Sequence, residues 1–345
     1  MTLMEKEILE QSSVLKSCIE YNLPTFEALA KAVKKKKITN VVIAARGSSN
    51  NASNYFKYCF ESLAGLPVSL AAPGINTIYN AKLDLSHSLV IGVSQSGAAA
   101  DAMAVLENAK ACGAITVSVT NTLESKMANM TDFHLYCNAG KELSVAATKT
   151  LTAQLMILGY FAAYYAKNEQ VQKELTQVAD NLQKIFDLKP QIQELAQKYK
   201  DLNSLIVLAR GTNYPIAQET ALKIQETTYI NARSYAASDF HHGPFAIVDQ
   251  NYTVLLIAPA GNSQKDMQEM KEKLLPTGAK ILVFTNKKEL AEGAADSIVY
   301  DIEGSDYVTP FYNVVIAQLW ALNISLARGL NPDAPRGLQK ITITK

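Results

Sequence analysis

The sequence predicts an α/β protein built from two tandem, doubly wound parallel-sheet domains, and three observations carry that prediction. Short apolar runs of strand length alternate with helical stretches, and the runs end in Gly, Ser or Asn turns. The pattern then restarts. Leu205-Ile206-Val207-Leu208-Ala209-Arg210-Gly211-Thr212-Asn213 repeats Ile43-Ala44-Ala45-Arg46-Gly47-Ser48-Ser49, and Gly47 to Gly97 spans the same distance as Gly211 to Gly261. Asn121 and Asn286 close matching strands one residue out of step. Finally, 345 residues with 48% hydrophobic and 19% charged side chains exceed one ordinary core but suit two. The layout is a helical segment (1–25), a first domain (26–166), a polar helical connector (167–199), a second domain (200–330) and a tail (331–345).

Taken in order, residues 5–21 carry apolar positions at Ile8, Leu9, Val14, Leu15 and Cys18, a helical spacing. Pro24 should separate that helix from a second over residues 26–33. A strand at 41–45 feeds Arg46-Gly47-Ser48-Ser49-Asn50 and a helix at 55–63; a further strand at 68–71 reaches the Pro73-Gly74 turn. The run Ser88-Leu89-Val90-Ile91-Gly92-Val93 ends in Ser94-Gln95-Ser96-Gly97, ahead of an alanine-rich helix. Hydroxyls, a permissive glycine and a helix N-terminus make an anion cradle, although Ser and Gly are also ordinary turn and cap residues. Strands at 115–119 and 133–137 follow, then a buried helix over the twelve-residue apolar run 155–166 and the connector, interrupted at Lys189-Pro190.

In the second copy the Ser-Gln-Ser triplet has become Ala258-Pro259-Ala260, which leaves no hydroxyl for an anion, so only the first copy keeps that site. Glu219, Lys223 and Glu226 share one helix face, either as a solvated ion-pair ladder or as an acid–base set. Two of four histidines, His241 and His242, sit in a Gly-Pro turn, where an imidazole either satisfies the turn or shuttles protons near neutral pH. Lys340 stands in an irregular tail with a short β-like end, where a lysine is often only surface decoration.

Composition narrows the function. With 33 basic against 32 acidic residues, no net field attracts nucleic acid or an anionic membrane. Cys18, Cys59, Cys112 and Cys137 are scattered, which argues against zinc and disulfides and fits a reducing compartment. Adjacent histidines rarely share a metal ion, so neither metal nor cofactor is expected. The charged N-terminus is unlike a signal peptide, and the 155–166 run is too short to span a bilayer. A cytoplasmic protein acting on a small molecule is the expectation.

These residues carry a resemblance. The chain resembles the sugar isomerase (SIS) superfamily over essentially its whole length, and within it the isomerase halves of glucosamine-6-phosphate synthases and the stand-alone glucosamine-6-phosphate deaminases. The motifs are Ser94-Gln95-Ser96-Gly97, Val145-Ala146-Ala147-Thr148-Lys149, Ala221-Leu222-Lys223-Ile224-Gln225-Glu226 and His242-Gly243-Pro244. The resemblance implies flavodoxin-like, three-layer αβα SIS domains. It implies that Ser49, Ser94, Gln95 and Ser96 hold a sugar 6-phosphate, with Ser48 and Val145 near the sugar. Glu226 would move a proton between C1 and C2, His242 would open the ring, Lys340 would meet the carbonyl end and Lys223 would support the developing oxyanion. His242 is expected to come from a neighbouring subunit, hence a homodimer.

Two departures stand out. Ala98 and Ala99 replace a polar pair whose threonine touches phosphate in the family, and Arg46 replaces a smaller residue of the synthases. The sequence also begins at the isomerase half, with no glutaminase nucleophile ahead of it. The leading expectation is therefore conversion of glucosamine 6-phosphate to fructose 6-phosphate and ammonia. A fructose-amine 6-phosphate deglycase and a non-enzymatic sugar-phosphate sensor are the alternatives. The sensor is the poorer fit, because no basic helix-turn-helix is present and the candidate catalytic groups are.

Overall fold

The computed structural model describes residues 1–340, so the β-like end expected at 341–345 lies outside the described residues. In chain order the elements are α1 (Leu3–Leu9), α2 (Gln11–Lys36), β1 (Asn40–Ala44), α3 (Gly47–Ala64), β2 (Val68–Leu70), α4 (Gly74–Thr77), β3 (Ser88–Val93), α5 (Ala100–Ala111), β4 (Ile115–Thr120), α6 (Lys126–Met130), β5 (Phe133–Tyr136) and α7 (Lys149–Tyr165). Two helices follow, α8 (Glu169–Phe186) and α9 (Lys189–Tyr199). The repeat then runs β6 (Ser204–Ala209), α10 (Tyr214–Thr228), β7 (Asn231–Ala236), α11 (Ala237–Phe240), β8 (Thr253–Ile257), α12 (Gln264–Leu274), β9 (Lys280–Thr285), α13 (Lys288–Ala291), β10 (Asp296–Val299) and α14 (Thr309–Ala327).

Chain contacts define two compact units. The N-terminal unit holds Glu10–Glu142, Ala147–Ala179, Gln339 and Lys340; the C-terminal unit holds Met1–Leu9, Leu143–Ala146 and Asp180–Leu338. Each contains one five-stranded parallel sheet, of order β2-β1-β3-β4-β5 in the first and β10-β9-β8-β6-β7 in the second. Read from its own first strand, the second order is also 2-1-3-4-5, so the repeat seen in sequence is a repeat of topology.

Alternation along the strands builds the cores. In the N-terminal unit Val42, Ala44 and Val90 pack against Ala102, Val105, Leu106 and Ala109 of α5 and Met127 of α6. In the C-terminal unit Ile206, Leu208, Val254, Leu256, Ile281 and Val283 meet Met267, Met270 and Leu274 of α12. Each fully buried aliphatic side chain contributes about 1.5–3 kcal/mol. The apolar helices complete each unit: α7 packs on α2 and α3, and α14 on α9 and α10.

One expectation about helices needs correction. Pro24 does not separate two helices, because α2 runs through it; the break is at Glu10. Glu20, Leu23 and Pro24 are exposed whereas Cys18, Asn22, Phe26 and Leu29 are buried. The carbonyl that proline leaves without a helix partner therefore faces water. Buried Asn22 braces the same turn, since its Nδ2 donates to Cys18 O at 2.7 Å and to Tyr136 O at 2.8 Å. No element was expected over the stretch that forms α14. It is long and apolar enough to cross a membrane, with a mean hydropathy of 1.2, yet 89% of that window is buried inside the fold. Its pattern, broken by Asn313, Gln318 and Asn323, hid it among shorter runs.

Candidate active site

In the N-terminal unit the strand order reverses between β1 and β3, and ligands of doubly wound sheets bind outside the carboxyl ends of strands at that point. Ala44 pairs with Gly92, so the two strands end side by side. The segments leaving them are Gly47-Ser48-Ser49, which opens α3, and Ser94-Gln95-Ser96-Gly97, which leads into α5. Neither N-cap residue, Arg46 or Ala99, caps its helix with a side chain, and the positive ends of both helix dipoles lie at the switch point. Strand β4 fixes the second loop: Ser94 N donates to Val119 O at 3.0 Å, and Asn121 N donates to Gln95 O at 2.9 Å. Gly97 has a φ of +64°, and a Cβ there would overlap the side chain of Ser125. Arg46 donates Nε and Nη2 to one oxygen of the buried Asp101 carboxylate in the first turn of α5, at 2.9 and 2.8 Å. That pairing offsets a negative charge that would otherwise oppose an anion.

Lys340, the tail residue singled out by the sequence, ends on Glu142 at 2.6 Å. Glu142 is the residue sequence reasoning missed. Its side chain is fully buried and accepts the N–H groups of Thr148 (2.9 Å) and Thr150 (3.0 Å) and the Thr150 hydroxyl (2.7 Å). Burial pushes its carboxyl up, but the Lys340 ammonium and the two N–H donors outweigh this and hold it below its ordinary value. The available signal was an acid a few residues ahead of a long, mostly apolar helix, where a carboxylate satisfies the N-terminal N–H groups.

In the C-terminal unit, α10 presents Glu219, Lys223 and Glu226. The solvated-ladder alternative falls here, because the Glu219 and Lys223 side chains are each 1% exposed while Glu226 is 22% exposed. Lys223 Nζ lies 3.3 Å from Glu219 and hydrogen-bonds Glu226. Burial alone would lower the lysine; the two carboxylates outweigh it and raise it above its ordinary value, so it stays an ammonium. The set is thus a buried cation between two anions, of which Glu226 alone is open to a reactant.

The other two expected site residues of this unit lie in loops. Val145 lies in the loop before α7, its N–H donating to Asp333 O at 3.4 Å. His242 follows α11 and is exposed, with its backbone N–H donating to Asp239 O at 3.0 Å. It comes after the carboxyl end of β7, whereas Glu226 precedes that strand's amino end. The six-residue strand that separates them in the chain is about 20 Å long. Among the described residues, no three His, Cys, Asp or Glu side chains gather as a metal ion would require.

With this geometry in place, comparison defines the class. The SIS-domain pattern matches residues 34–164 and again 198–328, so the chain belongs to the SIS-domain family of sugar-phosphate isomerases. It is 34% identical over 344 residues to glutamine–fructose-6-phosphate aminotransferase (isomerizing) of Aquifex aeolicus, covering 99% of this chain and 57% of that protein. The Thermococcus kodakarensis enzyme of the same name is 32% identical over 347 residues, with 98% and 57% covered. The chain thus spans a little over half the length of these relatives. Among solved structures, the C-terminal domain of glucosamine-fructose-6-phosphate aminotransferase from Francisella tularensis superposes with a TM-score of 0.89 at 27% identity, over 97% of this chain and 98% of that one. Glucosamine-6-phosphate deaminase from Thermotoga maritima shares the fold, with a TM-score of 0.79 at 21% identity over 99% and 100% of the two chains.

Proposed function

We propose that this SIS protein isomerises and deaminates an amino-sugar 6-phosphate, converting glucosamine 6-phosphate and water to fructose 6-phosphate and ammonia. The observation that carries the reading is the α10 set, in which a buried ammonium is fixed against the accessible Glu226 carboxylate. A proton next to a carbonyl or iminium is removed by one positioned base, with a cation near the enediol-like charge that develops. Glu226 is assigned to take the proton from C2 and return it to C1. Lys223 supplies the positive field beside it. Ser49, Ser94, Gln95 and Ser96, with Ser48 beside them, are assigned to the phosphate end. Val145 is assigned to the sugar chain and Lys340 to the carbonyl end, where hydrolysis of the C2 imine releases ammonia.

His242 is assigned to ring opening from the neighbouring subunit of a homodimer. The support is the separation within one chain, since His242 and Glu226 stand at opposite ends of β7 and one copy's pair would not reach the same C1–C2 bond. The test is release of ammonia and fructose 6-phosphate from glucosamine 6-phosphate by the purified chain. Equal amounts of both support the reading. No release, with thermal protection by the sugar phosphate retained, would leave the anion site and refute the amine.

A further inference from the structure

The short helix α1 contributes no residue to the roles above, yet both of its carboxylates, Glu5 and Glu7, are anchored. Met4 and Ile8 are fully buried, which accounts for its apolar face. Its N-terminus is held by Asp333, whose two carboxylate oxygens accept Leu3 N and Met4 N, each at 2.8 Å. The Asp333 carbonyl accepts Val145 N at 3.4 Å, and its own N–H donates to Asn331 Oδ1 at 3.0 Å. On the next turn Glu7, 4% exposed, accepts Leu143 N, Ser144 N and the Ser144 hydroxyl. Glu5 pairs with Lys189 at the start of α9.

Burying a carboxylate such as Glu7 is costly unless donors converge on it, and here three do. What they hold is informative. The Leu143 N–H belongs to the peptide unit that begins at the Glu142 carbonyl carbon, so Glu7 fixes the backbone on one side of Glu142. Asp333 fixes the tail seven residues before Lys340. The two segments that α1 binds therefore run directly into the two partners of the 2.6 Å Lys340–Glu142 ion pair. A seven-residue helix is too short to persist alone, so α1 and these segments stand or fall together.

We propose that α1 is the positioning bracket of the Lys340 amine, with Glu7 and Asp333 as its positioning residues. The inference rests on the proposed function only in taking that amine to be the group at the carbonyl end of the sugar. Removing either carboxylate lets the tail or the Glu142 backbone drift, and misplacement of a reacting group by about 1 Å is costly to turnover.

The test uses the full chain with D333A, D333N and E7Q and two readouts. The first is acetylation of Lys340 at limiting reagent, followed by peptide mass spectrometry and referenced to Lys265, whose side chain is 87% exposed. The second is kcat and KM for glucosamine 6-phosphate. The expected result is about fivefold faster Lys340 acetylation in D333A and E7Q, because a local opening exposes the amine. A fall in kcat of about tenfold or more should accompany it, with KM within about twofold. D333N, which keeps one acceptor for the two N–H groups, should lie between. Unchanged acetylation in variants that fold overturns the bracket. If D333A does not fold, D333N and E7Q decide. If the wild type shows no turnover, the deaminase reading fails and acetylation alone decides the inference.

Discussion

The two copies of the α/β domain share strand order, an Arg–Asp clamp and an asparagine latch, and differ in what their loops face. Arg46–Asp101 at 2.8 Å is matched by Arg210–Asp266 at 3.0 Å. Asn121 Nδ2 donates to Gly140 O as Asn286 Nδ2 donates to Ile302 O. In the first copy the switch-point loops carry Ser48, Ser49, Ser94 and Ser96. In the second, the corresponding side chains turn inward. Thr212 donates its hydroxyl to Asp306 O at 2.5 Å, and Asn213 donates to Thr309 Oγ1 at 3.0 Å. Asp306 also accepts both N–H and Nδ2 of Asn262, beside Gly261. The first copy thus leaves hydroxyl side chains in its switch-point turns, whereas the second copy's turns are filled by Asp306 and its buried charges stand on α10. The lesson is that duplication conserves the frame and lets the loops diverge.

Breaking the division of labour should show first at α10. E226Q should lower turnover of glucosamine 6-phosphate by about 10³-fold or more, the scale of a lost general base, while binding of fructose 6-phosphate measured by calorimetry persists. Next comes the cradle. S94A/S96A should raise KM by about 10- to 100-fold, because two donors to a phosphate are removed. The reciprocal A258S/A260S should create no phosphate binding, since the Asp306 carboxylate already accepts the N–H that follows Gly261.

The clamp sharpens the comparison on stability. R46A should cost about 1–3 kcal/mol in urea unfolding, because it removes the arginine from a carboxylate that is 5% exposed. R210A should cost less than about 1 kcal/mol, because Asp266 is 51% exposed. A smaller effect belongs to pH. The carboxyl of Glu142 is lowered in the fold from an unfolded value of 4.5, so its contribution is complete above that value and lost as pH falls through the folded one. E142Q should flatten this acid limb of the stability curve, read as Tm against pH below about 4.5.

The sheets were legible because apolar strands bounded by Gly, Ser and Asn leave an unambiguous period, and the repeat was legible because Gly47, Gly97, Gly211 and Gly261 keep their spacing. Legibility failed where partners are distant in sequence. Pro24 reads as a helix break until its exposure is known. Glu142 reads as a loop residue until Lys340, 198 positions away, is seen to end on it. The α10 set reads more readily as a surface ladder, because spacing places side chains on a face and says nothing of whether that face meets water. His242 was found by its Gly-Pro turn, whereas its distance from Glu226 required the strand between them.

The most direct test of the account follows deuterium placed at C2 of glucosamine 6-phosphate. With the wild-type chain the label should migrate to C1 of fructose 6-phosphate or wash out to solvent, whereas E226Q should leave it at C2. Migration or washout at the wild-type rate in E226Q would contradict the assignment of proton transfer to α10.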